Sequence, residues 1–239
     1  KGYSAAQPMT GQDWMKIIPV ERGQFPKVKQ DYIATPCMQC EAATCLNGEG
    51  DAVYKRDDGI VIIDPQKAKG DKTLVTRCPY RRIYWNEQEN VAQKCTFCAH
   101  LLDAGWKEPR CVEACPTGAL LFGDLDDTNS AISQAMKSAA GMHPEYKLGE
   151  KVKYVGLPKN FVAGSVVFGD KDECAKGVTV TLTGADGTKT TQTDAFGDFE
   201  FEGLPDDKSY TVTVAAPGYK TQEFEVKTYK SVYLGDIIL

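Results

Sequence analysis

The sequence predicts an α+β chain in two parts: a cysteine-rich half of short hairpins and helices, then a small antiparallel β-sandwich. Three observations predict it. Eight of the nine cysteines fall between residues 37 and 115, while Cys174 stands apart. From about Phe161 to Leu239 apolar and polar residues alternate with period two, broken by regular turn residues. The chain has 239 residues and is 42% hydrophobic, so it is long enough for two cores and too apolar for a disordered tail.

The first part, residues 1–123, is organised by its cysteines. Cys37-x2-Cys40-x4-Cys45 has no local fourth partner, because no cysteine occurs between 46 and 77; Cys78 then stands alone before Pro79. The second run is Cys95-x2-Cys98-x12-Cys111-x3-Cys115, followed by Pro116. Three chemistries compete. Disulfides need no Cys-x2-Cys clustering followed by Cys-Pro. Structural zinc could take half of a tetrahedral thiolate site from each Cys-x2-Cys pair. Iron–sulfur cubanes take one thiolate per iron, and bacterial ferredoxin runs send their last cysteine, the one before Pro, to the neighbouring cluster.

That crossover rule gives a reason for a three-plus-one arrangement ending in Cys-Pro, and zinc does not. By it, Cys37, Cys40, Cys45 and Cys78 make one complete 4Fe–4S ligand set. Cys95, Cys98 and Cys111 hold a second cluster whose fourth ligand lies upstream. Cys115 reaches into a third whose other ligands lie upstream. One further run of four cysteines would close the count at three cubanes. The chain opens Lys1-Gly2-Tyr3, with no initiator Met and no signal-peptide pattern. The expectation is therefore a processed or partial start, preceded by such a run and by no leader.

Lys94, Arg77, Arg81, Arg82 and Arg110 flank the ligands. Positive charge there would stabilise a reduced cluster and raise its potential; ordinary surface charge is the competing reading. Tyr80, Tyr84 and Trp85 are expected to pack over a cubane. His100 is expected at the surface or in packing, with a hydrogen bond to a cluster sulfide or a place at a partner interface as the alternative. Gly48-Glu49-Gly50 is not a phosphate loop, since no Lys-Ser/Thr pair follows.

Residues 124–160 read as a connector. One short helix is expected over 128–139, capped by Asp127 or Thr128. Gly141, Pro144, Gly149, Gly156 and Pro158 then make a loop-rich stretch in which His143 is expected to be solvated.

In the last part, 161–239, strands are expected over 162–168, 178–183, 199–201, 210–215, 223–227 and 231–234, and no helix. Asp186-Gly187, Phe196-Gly197, Gly203 with Pro205, and Pro217-Gly218 supply turns. Short strands in that number fit a sandwich. Phe199 and Phe201 should point to one face, and Asp198, Glu200 and Glu202 to the other. No nucleophile–base pair is visible, so the sandwich reads as structural or adhesive. Cys174 is expected in a loop as a free thiol.

Composition removes other classes. A net charge of −5 argues against binding nucleic acid by phosphate neutralisation. No apolar run approaches the roughly 18 residues of a membrane span. Two histidines leave little room for a His-based catalytic or metal site.

The motifs also carry a resemblance. Pro36-Cys37-Met38-Gln39-Cys40, the stretch Val53 to Asp64, Cys78-Pro79-Tyr80, Lys94-Cys95-Thr96-Phe97-Cys98-Ala99-His100, and Cys111 through Cys115-Pro116-Thr117-Gly118-Ala119-Leu120 resemble the four-cluster, ferredoxin-type electron-transfer subunits. Those subunits partner molybdopterin oxidoreductases of the dimethyl-sulfoxide-reductase class. In that family a further run of four cysteines would end at Cys78. Here its first three positions read Ala68, Asp71 and Leu74, and the last cysteine of the preceding run is also missing. All four ligands of one cluster are therefore gone together.

Three clusters and an appended sandwich narrow the resemblance to small subunits of the pyrogallol–phloroglucinol transhydroxylase and resorcinol hydroxylase type. The opening from Gly2-Tyr3 to Trp14 is similar too, so the likeness spans essentially the whole chain. Residues 193–201, Leu204-Pro205, Tyr210 and Pro217-Gly218-Tyr219 resemble the carboxypeptidase-regulatory or transthyretin-like fold. The resemblance implies a large partner subunit carrying a molybdenum bis-pterin guanine dinucleotide, a polyhydroxylated phenol as substrate, and no catalytic residue in this chain. The runner-up is the electron-transfer subunit of another molybdenum or tungsten reductase, such as a catechol dehydroxylase. A zinc-stapled adaptor with an adhesive sandwich is the third reading. The cytoplasm is the expected compartment, with periplasmic co-export alongside a signal-bearing partner as the alternative.

Overall fold

The computed structural model describes residues 12–46 and 52–239. The opening from Gly2 and the Gly48-Glu49-Gly50 segment lie outside the described residues. In chain order the strands and α-helices are β1 (Lys16–Gln24), β2 (Lys27–Thr35), β3 (Val53–Lys55), β4 (Val61–Ile63), β5 (Ile83–Asn86), β6 (Val91–Lys94), α1 (Ala99–Leu102), α2 (Arg110–Glu113) and α3 (Ala131–Met136). They continue with β7 (Asn160–Phe168), β8 (Glu173–Cys174), β9 (Thr179–Gly184), β10 (Gly187–Gln192), β11 (Asp198–Leu204), β12 (Ser209–Ala215), β13 (Gln222–Lys227) and β14 (Val232–Ile238).

Two compact units result. Unit 1 comprises Lys1–Ile18 and Ala34–Leu157, and unit 2 comprises Pro19–Ile33 and Pro158–Leu239.

Unit 1 is mostly strand and turn, so its helical share is thinner than an α+β reading implies. The antiparallel pairs β3–β4 and β5–β6 are its sheets. Helices this short are marginal alone; they persist here as turns between cysteine-bearing loops. The core gathers Met38, Val53, Val61, Ile63, Ala68, Leu74, Tyr80, Ile83 and Val91, with Cys40 and Cys45 inside it.

Residues 124–157 stay with unit 1 because their backbone pairs with the first cysteine loop. Glu41 N donates to Gly149 O at 2.9 Å, Ala42 N to Leu148 O at 3.0 Å, and Lys151 N to Met38 O at 3.0 Å. The expected helix over 128–139 is shorter, and neither Asp127 nor Thr128 caps it. Asp127 Oδ1 accepts from Asn129 N in a turn, and Ser130 Oγ caps α3 by accepting from Ser133 N at 3.2 Å. The His143 side chain is 42% exposed, in keeping with a solvated place, with one ring face stacked on Tyr146 at 4.8 Å.

Unit 2 has two sheets, in orders β10-β9-β12-β13 and β11-β7-β14, with β8 pairing β7. Phe199 and Phe201 are buried with Val162, Val166, Val180, Leu182, Tyr210, Val212 and Val214, while Asp198, Glu200 and Glu202 take the opposite face. The sandwich is not wholly antiparallel, since β14 runs parallel to β7. The first and last strands of the sandwich are neighbours, and the crossings between sheets supply the long return that a parallel pair needs. Gly197 sits at φ +79°, where a Cβ would lie 2.2 Å from Val166 O, so only glycine fits that turn. Cys174 lies on β8, not in a loop, because its backbone pairs with Val167; its side chain is exposed.

The β1–β2 hairpin supplies the rest of unit 2. Lys27 pairs with Asp198, and Lys29 with Glu200 and Glu202. Gln24 Nε2 donates to Tyr233 O at 3.0 Å. Beneath them Phe161 is fully buried, with Lys29 Nζ 5.1 Å from its ring centre. The charged face of β11 is therefore a seat for the hairpin.

Candidate metal centre

Cys37 and Cys40 lie in the loop after β2, and Cys45 lies in the 3-10 turn Thr44–Leu46. Cys78 ends the 3-10 helix Lys72–Arg77, and Pro79 prevents that helix from continuing. Thr44 Oγ1 donates to Arg77 O at 2.6 Å and ties the Cys45 turn to the segment before Cys78. The fold thus brings these four thiols together: every pair among them interacts electrostatically. Three of the four are buried.

The second run is assembled from Cys95 after β6, Cys98 before α1, and Cys111 within α2. Cys95 interacts with Cys111 and also with Cys37, and Cys111 with Cys98 and Cys115. Cys111 is exposed, and Cys115 is partly so. Cys174 lies on unit 2, with none of these residues.

Both Cys-x2-Cys turns use the same backbone device. Their third residues, Gln39 and Phe97, are left-handed at φ 47° and 56°, and Cys98 follows at 52°. Such positions cost roughly 1–3 kcal/mol each outside glycine and persist where the surroundings over-determine them. In the second turn Phe97 N donates to Cys95 Sγ at 3.4 Å; after Cys78, left-handed Arg81 at φ 54° precedes Arg82, whose N donates to Cys78 Sγ at 3.4 Å.

Burial pushes the Cys40 thiol up to about 12, aided by Cys37, Cys78 and Cys45, and pushes Cys45 up to about 11 and Cys95 to about 12. Cys78 is also raised by burial. The Thr117 hydroxyl, with backbone amides, holds Cys115 down at about 7. Buried thiols of this kind need a bound cation to ionise.

The donor set fits an iron–sulfur cube: three thiols from one short stretch and a fourth from Cys78, with Arg82 N aimed at the Cys78 sulfur. Among the described residues no three His, Cys, Asp or Glu are close enough to share a single ion. A cubane does not require that, because each thiolate takes its own iron.

The flanking cations divide. Arg77 faces Asp71 at 3.6 Å, Arg110 faces Glu113 and lies over Trp106, and Arg81 is exposed. Arg82 is buried against the carbonyls of Tyr80 and Thr35. Lys94 is the more deeply buried of the two, next to Cys95. Its Nζ donates to Val61 O and, at 3.1 Å, to Cys95 O.

Tyr80 is buried and donates to Glu150 Oε1 at 2.7 Å; burial and that carboxylate raise its pKa. Tyr84 and Trp85 are half-buried, and Trp85 packs on the unit 1 core. His100 is exposed on α1, at a shallow cleft with Tyr54, Arg56 and Asp103.

Gln39 was not singled out by the sequence. It is 2% exposed; its Oε1 accepts from Val61 N at 2.8 Å, and its Nε2 donates to Cys95 O at 3.4 Å. Only its place inside a Cys-x2-Cys pair marks it.

A 4Fe–4S dicluster domain family matches residues 28–125, and a carboxypeptidase regulatory-like domain family matches residues 162–234. Fold, thiols and matches define an iron–sulfur electron-transfer subunit with a sandwich appended, and the iron–sulfur match favours cubanes over zinc. The chain is 43% identical to the pyrogallol hydroxytransferase small subunit of Pelobacter acidigallici, across 100% of this chain and 88% of that protein. It belongs to the family of that small subunit.

Protein NrfC of Escherichia coli (strain K12) is 39% identical over 57% of this chain and 62% of its own length. The perchlorate reductase subunit beta of Dechloromonas aromatica (strain RCB) is 36% identical over 56% of this chain and 41% of its own length. The chain spans less than two thirds of either. No described helix is long and apolar enough to cross a membrane.

Proposed function

We propose that this chain conducts electrons for a large molybdopterin-bearing partner acting on a polyhydroxylated aromatic ring, and catalyses nothing itself. The observation that carries the reading is the near full-length likeness to a pyrogallol hydroxytransferase small subunit, sandwich included. A second reading, service to another molybdenum or tungsten reductase, draws on the perchlorate reductase subunit, but that likeness covers only 56% of the chain.

Cys37, Cys40, Cys45 and Cys78 would hold one 4Fe–4S cluster. Cys95, Cys98 and Cys111 would hold a second with an upstream ligand, and Cys115 would join a third. A fourth cluster of the wider family is absent in this reading. Ala68 and Leu74, at positions where its ligands would stand, are fully buried in the unit 1 core, and Asp71 instead caps the 3-10 helix by accepting from Thr73 N at 3.0 Å. Apolar packing at Ala68 and Leu74 supports that reading.

Bound cubanes take up and pass on single electrons. The chain's own part is to fix them. The thiols anchor them, the Arg82 and Phe97 amides favour charge on sulfur, and Met38, Leu74 and Tyr80 keep water away. The domain boundaries proposed are 1–123, 124–160 and 161–239, with the hairpin of Pro19–Ile33 seated on the third. We place the protein in the cytoplasm, to be checked by cell fractionation.

The test is to purify the chain with its large partner. Iron and acid-labile sulfide for three cubanes, visible absorption bleached by dithionite, and turnover or ring-hydroxyl exchange on polyhydroxybenzenes are expected. Iron without any activity across that panel would favour the second reading.

A further inference from the structure

Lys94 is 2% exposed, yet its ammonium meets only two carbonyl oxygens, those of Val61 and Cys95, and no carboxylate among the described residues. A buried charge without a counter-charge is costly, so the site must supply negative charge of its own. Its Nζ shares the Cys95 carbonyl with the Nε2 of Gln39, the residue between Cys37 and Cys40, which puts the ammonium beside both cysteine runs.

Its position is fixed by a small polar node. Val61 gives its N–H to Gln39 and its carbonyl to Lys94, and Cys95 O accepts from both side chains. Gln39 lies between the first two ligands, Val61 on β4, and Lys94 at the end of β6. The node therefore joins both cysteine runs and places one positive charge between them. Arg77, Arg82 and Arg110 are engaged elsewhere.

We infer that Lys94 is the shared counter-ion of two neighbouring clusters, the one on Cys37, Cys40, Cys45 and Cys78 and the one on Cys95, Cys98 and Cys111, and that it raises the reduction potential of both while leaving the Cys115 cluster alone. This positioning role rests on the proposed ligand sets. A reduced cluster is more negative than an oxidised one, so a fixed cation favours reduction. Held beside both ligand sets, it shifts both potentials in the same direction.

The test compares wild type, Lys94→Met and Lys94→Arg in the intact complex, by redox titration followed by electron paramagnetic resonance, with iron and sulfide measured on each. Lys94→Met should move two of three midpoints to lower potential and leave the third in place, and Lys94→Arg should restore them. Unmoved midpoints at full iron content would overturn the inference, as would an equal shift of all three. Should Lys94→Met lose clusters, retention in Lys94→Arg supports a need for the charge, and loss in both variants shows that shape alone matters and sinks it. Absence of iron and sulfide from the wild type would instead refute the ligand sets themselves.

Discussion

The two units solve the problem of a small core in opposite ways. Unit 2 buries aliphatic and aromatic side chains from alternating strands, and its 2-residue periodicity alone creates an apolar face. Unit 1 has short hairpin strands of three or four residues, helices of four to six residues, and cysteines in its core. Metal–thiolate bonds must replace part of the burial it lacks. Electron transfer thus falls to the unit with the thinner apolar core, and the unit with the fuller core holds none of the clustered cysteines.

The sharpest way to break that contrast is to remove a ligand. Cys78→Ala should abolish the cluster built with Cys37, Cys40 and Cys45 and lower the first thermal transition markedly, with the sandwich transition in place. Iron analysis and calorimetry decide it; unchanged iron content would refute the assignment.

Deleting 158–239 should leave the iron content intact. The hairpin of Pro19–Ile33, stripped of Phe161 and the β11 acids, should become a protease-sensitive site. Loss of iron on that deletion would show that the halves are not independent.

Phe199→Ala should destabilise unit 2 by roughly 3–5 kcal/mol, the usual cost of emptying a buried phenylalanine site, and leave the clusters untouched. Calorimetry of the second transition, with the visible spectrum as control, reads it.

The smallest effect concerns the hairpin seat. Burial pushes the Asp198 carboxyl up, but hydrogen bonds from Lys27 and Ser165 outweigh it and hold the group below its ordinary value. The Asp198 hydrogen bond, against some burial, raises Lys27. A depressed carboxyl stabilises above its unfolded pKa and loses that contribution as pH falls through the folded one. A raised ammonium stabilises below its unfolded pKa and loses that contribution as pH climbs through the folded one. The pair therefore acts fully between roughly pH 4 and pH 10. Lys27→Ala should cost about 0.5–1 kcal/mol inside that window and little at acid pH, as denaturant titrations at several pH values would show.

Much of this architecture was legible because it rests on short-range rules. Cys-x2-Cys spacing and Cys-Pro mark the stretch that the 4Fe–4S dicluster family covers, and alternation finds the buried strands β7, β9, β11 and β12. What escaped depends on tertiary partners. β10 reads Gly-Thr-Lys-Thr-Thr-Gln, has no apolar residue, and exists as an exposed edge paired with β9. The β1–β2 hairpin is held by Phe161 and by acids about 170 residues away. The Gln39–Val61–Lys94 node joins three segments that no local pattern connects.

Unit 2 is interrupted in sequence by the stretch Ala34–Leu157. On a ribosome moving at 5–20 residues per second, its hairpin emerges on the order of ten seconds before the Phe161 seat exists. The iron-binding stretch is synthesised within that interval. Cluster delivery therefore has a natural opening before the final module closes, and a chain stalled ahead of Pro158 would carry its metal sites beside an orphaned β-ribbon.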